Sequence, residues 1–391
     1  MRYCDCENLK PGMVLAKPIY SNTNELLLAA GYVLDAKLIE RLQCMIISPV
    51  CIEEPGTESV VIEEMVDAEV LNCAQNTLKE TFTNIIEKTR RSAGENLDHI
   101  INNVQKSGQL SQLDQIKKAV TALIDELLDN LTTDWSTLPS RFFSGNHFQH
   151  GVDTTILSVL LGIHFSFRYQ ELKHLGMGAM LHDLGMSLLP DLIEKKNCEF
   201  SAADLAQYRK HPEYGVNLMT GAEESLYIEK QCVLQHHEQP DGEGFPQRLM
   251  GTGSPPLGNV KNTADTIFRL AEIIHTADAY LNLTTGGWTQ EPLTPEQALL
   301  LLVKCCPSKH NPHIVAALSH VVILFPKGAH VRIMKNHSHR YIGYRGVVAE
   351  PNREEPHKPK LVLIANRFGE KIKPELVDFK DEKFMEIKLE L

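Results

Sequence analysis

Three things are scarce in this chain: paired cysteines, long apolar runs and positive charge. The nine cysteines (Cys4, Cys6, Cys44, Cys51, Cys73, Cys198, Cys232, Cys305 and Cys306) are scattered without C-x-x-C spacing. That pattern fits reduced thiols better than a disulfide frame or a zinc ribbon. The longest uncharged apolar stretch, Thr154 to Phe167, is too short to span a bilayer, and the opening MRYCDCENLKPGM holds no apolar core of signal-peptide type. A cytoplasmic protein without membrane insertion is therefore expected. The formal net charge of −11 argues against a nucleic-acid polymer as partner, because neutralising one needs a clustered positive field. A small anionic ligand stays compatible with this balance if a metal receives it.

What is present is a globular composition: 391 residues, 43% of them hydrophobic, enough for two or three domains with sizeable cores. Turn signals at Pro11-Gly12, Ser21-Asn22 and Gly31 separate short apolar runs, so residues 1–56 read as a small β-rich accessory domain. Beyond Pro55-Gly56, Val66, Val70, Ala74, Leu78, Phe82 and Ile85 recur at helical spacing, and a second run passes through Leu113, Ile116, Val120, Ile124, Leu127 and Leu131. Residues 57–134 therefore read as a helical linker or hairpin. The run from Val66 to Val104 would serve either as a dimerising coiled coil or as packing for the next domain, which leaves a homodimer open. Residues 135–323 are helical and hold most of the histidines, and 324–391 alternate apolar and polar positions, as a small antiparallel β unit does.

The chemistry concentrates in two strings, AMLHDLGMSLLPD and LQHHEQPDGEGFP. Each sets an adjacent donor pair, His182-Asp183 and His236-His237, at the end of a helical run, before Gly185 in one case and Asp241-Gly242 in the other. Successive helical residues diverge by about 100°, so each pair addresses two directions, and a carboxylate with two oxygens can bridge two ions. His150, His211 and Asp278 are available to complete a two-metal site. A lone histidine near a helix is more often a core or surface group, and that is the reading for His147, His164, His174 and His275.

Over about 190 residues the chain resembles the HD-GYP family of the HD superfamily, bacterial cyclic di-GMP phosphodiesterases. The strings that carry the resemblance are HDLGMSLLPD, HPEYG, HHEQPDGEGFP and ADAYLNLT, in the family's order and near its spacing. It implies a mainly α fold: an HD-superfamily helical bundle as catalytic domain, flanked by small β-rich N- and C-terminal units. By position it implies one ion held by His150, His182, Asp183 and Asp278, and a second held by His211, His236 and His237, with Asp183 bridging. Iron or manganese suits such nitrogen and oxygen donors, and zinc or nickel is compatible. Two cations about 3.5–4 Å apart would activate a shared water as hydroxide and polarise the phosphoryl oxygens it attacks. The implied reaction is hydrolysis of cyclic di-GMP to pGpG or GMP, with Asp183 and His182 central. Glu238 would orient a ligand histidine from behind.

The departures from the family all remove charge or polarity. Met186 stands at the lysine of HDxGK, GWTQ replaces a basic string so that Gly287 and Gln290 take the place of cations, and Phe245 replaces the tyrosine of GYP. Leu281 replaces a second aspartate. Asn146 stands where some members have a glutamate for a third metal, so two ions are expected. Each lost charge-assisted contact removes about 1.5–3 kcal/mol of interaction. Lys261, Arg248 and Arg269 are the remaining candidates for holding phosphate. Three readings follow: a cyclic di-GMP phosphodiesterase, a metallophosphohydrolase for another cyclic nucleotide or phosphoester, and a weakly catalytic cyclic di-GMP sensor that binds other signalling proteins through the GFP loop.

Overall fold

Helical periodicity governs the middle of the chain and two-residue alternation its ends, and the computed structural model has helices from Ala68 to Val321 and strands in the terminal segments. It describes residues 1–4, 6–20, 26–44, 50–62, 65–92, 96–106, 113–130, 147–193, 195, 199–220, 226–257, 265–287 and 291–390. Two units form: Val66–Asp129 with Gly145–Val321, and Met1–Met65 with Asn130–Ser144 and Val322–Leu391. The fold is mainly α, a helical bundle with small β sheets in the terminal segments.

In the helical unit, α2 (Ala68–Arg91) starts at Asp67, whose side chain accepts from the Glu69 backbone N–H at 3.0 Å. Its apolar positions Leu71, Ala74, Leu78, Phe82 and Ile85 form one buried stripe, as the three- and four-residue spacing requires. The stretch read as one run to Val104 is broken into α2 and a separate α3 (Leu97–Lys106). The stripe of α2 meets that of α4 (Leu113–Asp129), which buries Ile116, Val120, Leu123 and Leu127. Each buried leucine contributes roughly 1.5–3 kcal/mol.

The central element is α5 (His147–His164), buried almost all round from Val152 to Gly162 and packed by α2, α4, α6 (Tyr169–Leu181), α11 (Arg269–Thr285) and α13 (Pro312–Val321). A 3₁₀ turn at Leu184–Leu188 follows α6, then α7 (Pro190–Ile193), α8 (Ala202–Tyr208), α9 (His211–Met219) and α10 (Tyr227–Gln235). The helix α12 (Pro295–Lys304) opens on a capping box of Thr294 and Gln297. Two glycines set the close approaches that matter for function. A Cβ on Gly178 would lie 2.5 Å from the Cys232 Cβ, so α6 and α10 touch one turn before each ends. A Cβ on Gly185 would fall 1.9 Å from the His211 carbonyl oxygen; any side chain there would push α9 away.

In the other unit, β1 (Arg2–Cys4) pairs with β4 (Val50–Ile52), β2 (Ile19–Tyr20) with β3 (Leu26–Leu28), and α1 (Ala36–Cys44) joins a core of Leu15, Leu34, Ile39 and Ile52. A five-stranded antiparallel sheet in the order β8-β7-β6-β5-β9 is built from β5 (His330–Asn336), β6 (Arg345–Glu350), β7 (Lys360–Ala365), β8 (Lys371–Asp378) and β9 (Met385–Leu389). Val331, Ile333, Val348, Leu361 and Leu363 point into its core with Phe379, the alternation seen in the sequence.

Candidate metal centre

Helix ends build the centre. His182 caps α6, His236 caps α10, and His211 opens α9 three residues after the end of α8. The last turn of a helix leaves carbonyls without intrahelical partners, and here the imidazoles use them. The Nδ1 of His182 donates to the Ala179 carbonyl at 2.7 Å, that of His211 to Tyr208 at 2.7 Å, and that of His236 to Val233 at 2.8 Å. A carbonyl only accepts, so a proton sits on Nδ1 in each ring and Nε2 is directed to the interior.

Those nitrogens converge on Asp183. Its Oδ1 lies 3.3 Å from His211 Nε2 and 3.9 Å from His236 Nε2, while its Oδ2 lies 3.3 Å from His182 Nε2. Asp278 Oδ1 is 2.7 Å from His150 Nε2 and 3.8 Å from His182 Nε2, and accepts from the Asn282 amide at 2.7 Å. Two donor groups result, Asp183-His211-His236-His237 and His150-His182-Asp278, with ligand atoms within 4.8 Å of one another in each. The seven positions singled out from the motifs therefore come together, and the side chains of His182, His211 and His236 are buried.

The donor set calls for cations. His211 Nε2 and His236 Nε2 face each other at 3.1 Å, yet both rings hold their proton on the far nitrogen, so two lone pairs would oppose each other unless a positive charge sits nearby. His182 Nε2 is buried with no hydrogen-bond partner among the described residues. The opposed lone pairs of His211 and His236 are unfavourable in a dry interior without something to receive them. The cluster is compatible with divalent metal binding.

Electrostatics differ across the centre. Burial, with the neighbouring histidines, pushes His236 down to about 3, and burial holds His211 and His237 below the usual imidazole range. Burial works in the same sense on His182, but contact with Asp183 and the charge of Asp278 overcome it and raise its pKa to about 9. Burial alone would raise Asp183; the adjoining His182, with His211, instead holds it well below the usual carboxylate range.

Several expectations need correction. The Glu238 carboxylate does not orient a histidine: it accepts the backbone N–H groups of Gln247 (2.6 Å), Arg248 (3.2 Å) and Leu249 (2.9 Å), closing the loop that carries Phe245. Arg269 is committed to Glu171 at 2.6 Å and to the face of Phe167; nine residues before Asp278 on α11, it lies about 13 Å along the helix from that carboxylate. Arg248 is exposed on the loop that Glu238 closes, with a positive φ of 58°. Lys261, Gln290 and Asn146 lie outside the described residues.

Other side chains at the centre were not foreseen. His147, read as a core or surface group, turns Nδ1 to within 4.0 Å of Asp183 Oδ2, and burial pushes its pKa down to about 4. The Tyr208 hydroxyl shares a 3.1 Å hydrogen bond with His237 Nε2. Phe245 stacks on His237 with ring centres 4.6 Å apart, and the Arg209 guanidinium lies 5.8 Å from the Phe245 ring centre. Met186 is buried with Leu189, Leu192 and Tyr208 against Phe245, so the family's lysine position has become part of an apolar wall. The i, i+3 spacing of His147 with His150 and of Tyr208 with His211 was the available signal. The remaining histidines are structural: His275 contacts the His236 and Lys309 carbonyls, His174 pairs with Glu229, and His164 stacks on His320.

Residues 166–312 match the model of the HD domain. Over that segment the chain is similar to the HD domain family. It is 37% identical over 86 residues to the 3'3'-cGAMP-specific phosphodiesterase 2 of Vibrio cholerae serotype O1, covering 22% of this chain and 16% of that protein. It is 22% identical over 232 residues to the cyclic di-GMP phosphodiesterase PA4108 of Pseudomonas aeruginosa, covering 59% of this chain and 51% of the relative. The chain thus spans about half or less of the length of these curated relatives. Among solved structures, Bd1817, an HDG"Y"P protein from Bdellovibrio bacteriovorus, aligns over 79% of this chain and 95% of its own at 17% identity and a TM-score of 0.46. No described helix is long and apolar enough to cross a membrane.

Proposed function

We propose that this HD domain is a metal-dependent phosphodiesterase acting on a cyclic dinucleotide, with cyclic di-GMP as substrate and pGpG or GMP as product. The observation that carries the reading is Asp183, whose two carboxylate oxygens face two separate groups of donors. Such a carboxylate is suited to bridging two ions. His150, His182, Asp183 and Asp278 would hold one ion, and Asp183, His211, His236 and His237 the other, iron or manganese by donor type. When bound, two divalent cations supply a nucleophilic water at neutral pH and stabilise charge on the phosphoryl oxygens.

The protein's own residues prepare that chemistry. Backbone carbonyls at three helix ends fix a proton on Nδ1, so the Nε2 lone pairs of His211 and His236 need no reorganisation when an ion arrives, while His182 must first give up its second proton. Asn282 holds Asp278, and Glu238 holds the loop that lays Phe245 over His237, excluding water from that side. Arg209, beside Phe245, is the cation placed to meet a substrate phosphate at the loop. Partners read from the GFP loop, a homodimer and a cytoplasmic site of action remain part of the same proposal.

One observation favours a second substrate of the same class: a relative is named for 3'3'-cGAMP, and the apolar Met186 wall lacks the lysine of the family motif. Anaerobically purified, iron- or manganese-loaded protein incubated with each dinucleotide, followed by chromatography, tests both readings against Asp183→Ala. Linear dinucleotide or mononucleotide from the native protein alone supports the enzyme. Two bound ions without product from either substrate would contradict it and leave a sensor.

A further inference from the structure

The two histidines that open α5, His147 and His150, are three residues apart and so leave the same face of the helix. His150 belongs to the group with His182 and Asp278. His147 points Nδ1 at Asp183 Oδ2, 4.0 Å away, and the same oxygen is 3.3 Å from His182 Nε2. Ligand atoms each about 2.1 Å from a shared ion lie roughly 3–4.2 Å from one another; both distances to Asp183 Oδ2 fall in that span, while His147 stands outside the group of His150, His182 and Asp278 whose atoms lie within 4.8 Å of one another, so a small ring shift would bring it in.

Among the described residues the rest of the ring's surroundings are apolar or aromatic contacts. Phe82 meets it edge-on at 5.5 Å between centroids, which fixes its plane. Its Nε2 is buried with no hydrogen-bond partner among the described residues, a property it shares with His182 Nε2 in the same centre. A histidine kept only for packing would leave polar nitrogens beside a carboxylate without benefit, where an apolar side chain of similar size would avoid the desolvation cost.

We propose that His147 is a further metal ligand, joining His150, His182, Asp183 and Asp278 around the first ion. The inference rests on the two-ion reading above. That ion then has five protein donors against four for the second, with three imidazoles and two carboxylates, and fewer positions open to substrate. Substrate oxygen would enter mainly on the His211-His236-His237 side.

The test is titration of metal-free full-length protein with Co(II), followed by calorimetry and visible absorption, for the native protein, His147→Gln and His150→Gln. Native protein binding two ions, with His147→Gln weakening one of them by about 10- to 100-fold and changing the Co(II) spectrum, is the expected result. Two ions bound by His147→Gln with native affinity and an unchanged spectrum would overturn it, as would unchanged ions with lost turnover, which makes His147 a proton carrier instead. A native protein that binds no ion sinks the two-ion reading itself, so the two failures are distinct. Imidazole ¹⁵N spectra of the unmutated protein on adding Zn(II) give a check that needs no variant: coordinated rings should include His147 beside His150, His182, His211, His236 and His237, and their restriction to those five overturns the proposal.

Discussion

The two halves of the centre share Asp183 but prepare for a cation in opposite ways. Around Asp183 Oδ1 stand His211, His236 and His237, rings held neutral by burial. Around Asp183 Oδ2 and Asp278 stand His150 and His182, where burial is overcome by contact with Asp183, aided by the charge of Asp278, and the His182 pKa rises to about 9. One half offers lone pairs at neutral pH; the other holds a place-keeping proton that an arriving ion must displace. The difference follows from contact: His182 Nε2 lies 3.3 Å from Asp183 Oδ2 with Asp278 nearby, whereas burial outweighs the same carboxylates at His211 and His236.

The largest effect should come from removing what the halves share. Asp183→Ala is expected to cut turnover on the order of 10³-fold or more, about 4 kcal/mol in barrier, read by product chromatography; activity within tenfold of native would break the bridge between the halves. Replacing the apolar wall beside the second half comes next. Met186→Lys buries an ammonium among Leu189, Leu192 and Tyr208 and should lower stability by about 3 kcal/mol in urea unfolding. A variant as stable as native, with tighter nucleotide binding, would show that the family's lysine site is still open.

The pH dependence sharpens the comparison directly. His182 has a folded-state pKa above its ordinary 6.5, so in metal-free protein its pairing stabilises fully below about pH 6.5 and loses that contribution as pH rises through about 9. Metal must expel the same proton, so calorimetry should show the affinity of the first ion rising about tenfold per pH unit from 7 toward 9. The second ion should show no such slope from its neutral rings. Equal slopes would erase the distinction. The smallest effect is expected from Tyr208→Phe, which removes the hydroxyl beside His237 and should weaken the second ion by about tenfold while leaving the first unchanged.

The candidate donor positions were legible because they follow helix stops: apolar runs ending at His182-Asp183 and His236-His237 announce the ends of α6 and α10. The helical middle and the alternating C-terminal strands were legible for the same reason, since periodicity is local. What surrounds the donors was not. Glu238 finds its partners nine to eleven residues later, in a loop whose closure no local pattern announces. Arg269 is drawn off by Glu171, 98 positions away. His147 looked like any lone histidine because its relation to Asp183 exists only after α5 and the turn following α6 have met. The carbonyls that fix the rings are invisible as residue types, although the i−3 spacing recurs at all three helix ends.

The most direct test of the account is the number of ions per chain, counted by native mass spectrometry on anaerobically prepared native protein and on Asp183→Ala. Two divalent ions on the native chain, and at most one, weakly held, on the variant, is the predicted outcome. Two ions retained by Asp183→Ala, or none on the native protein, would contradict a centre built around that carboxylate.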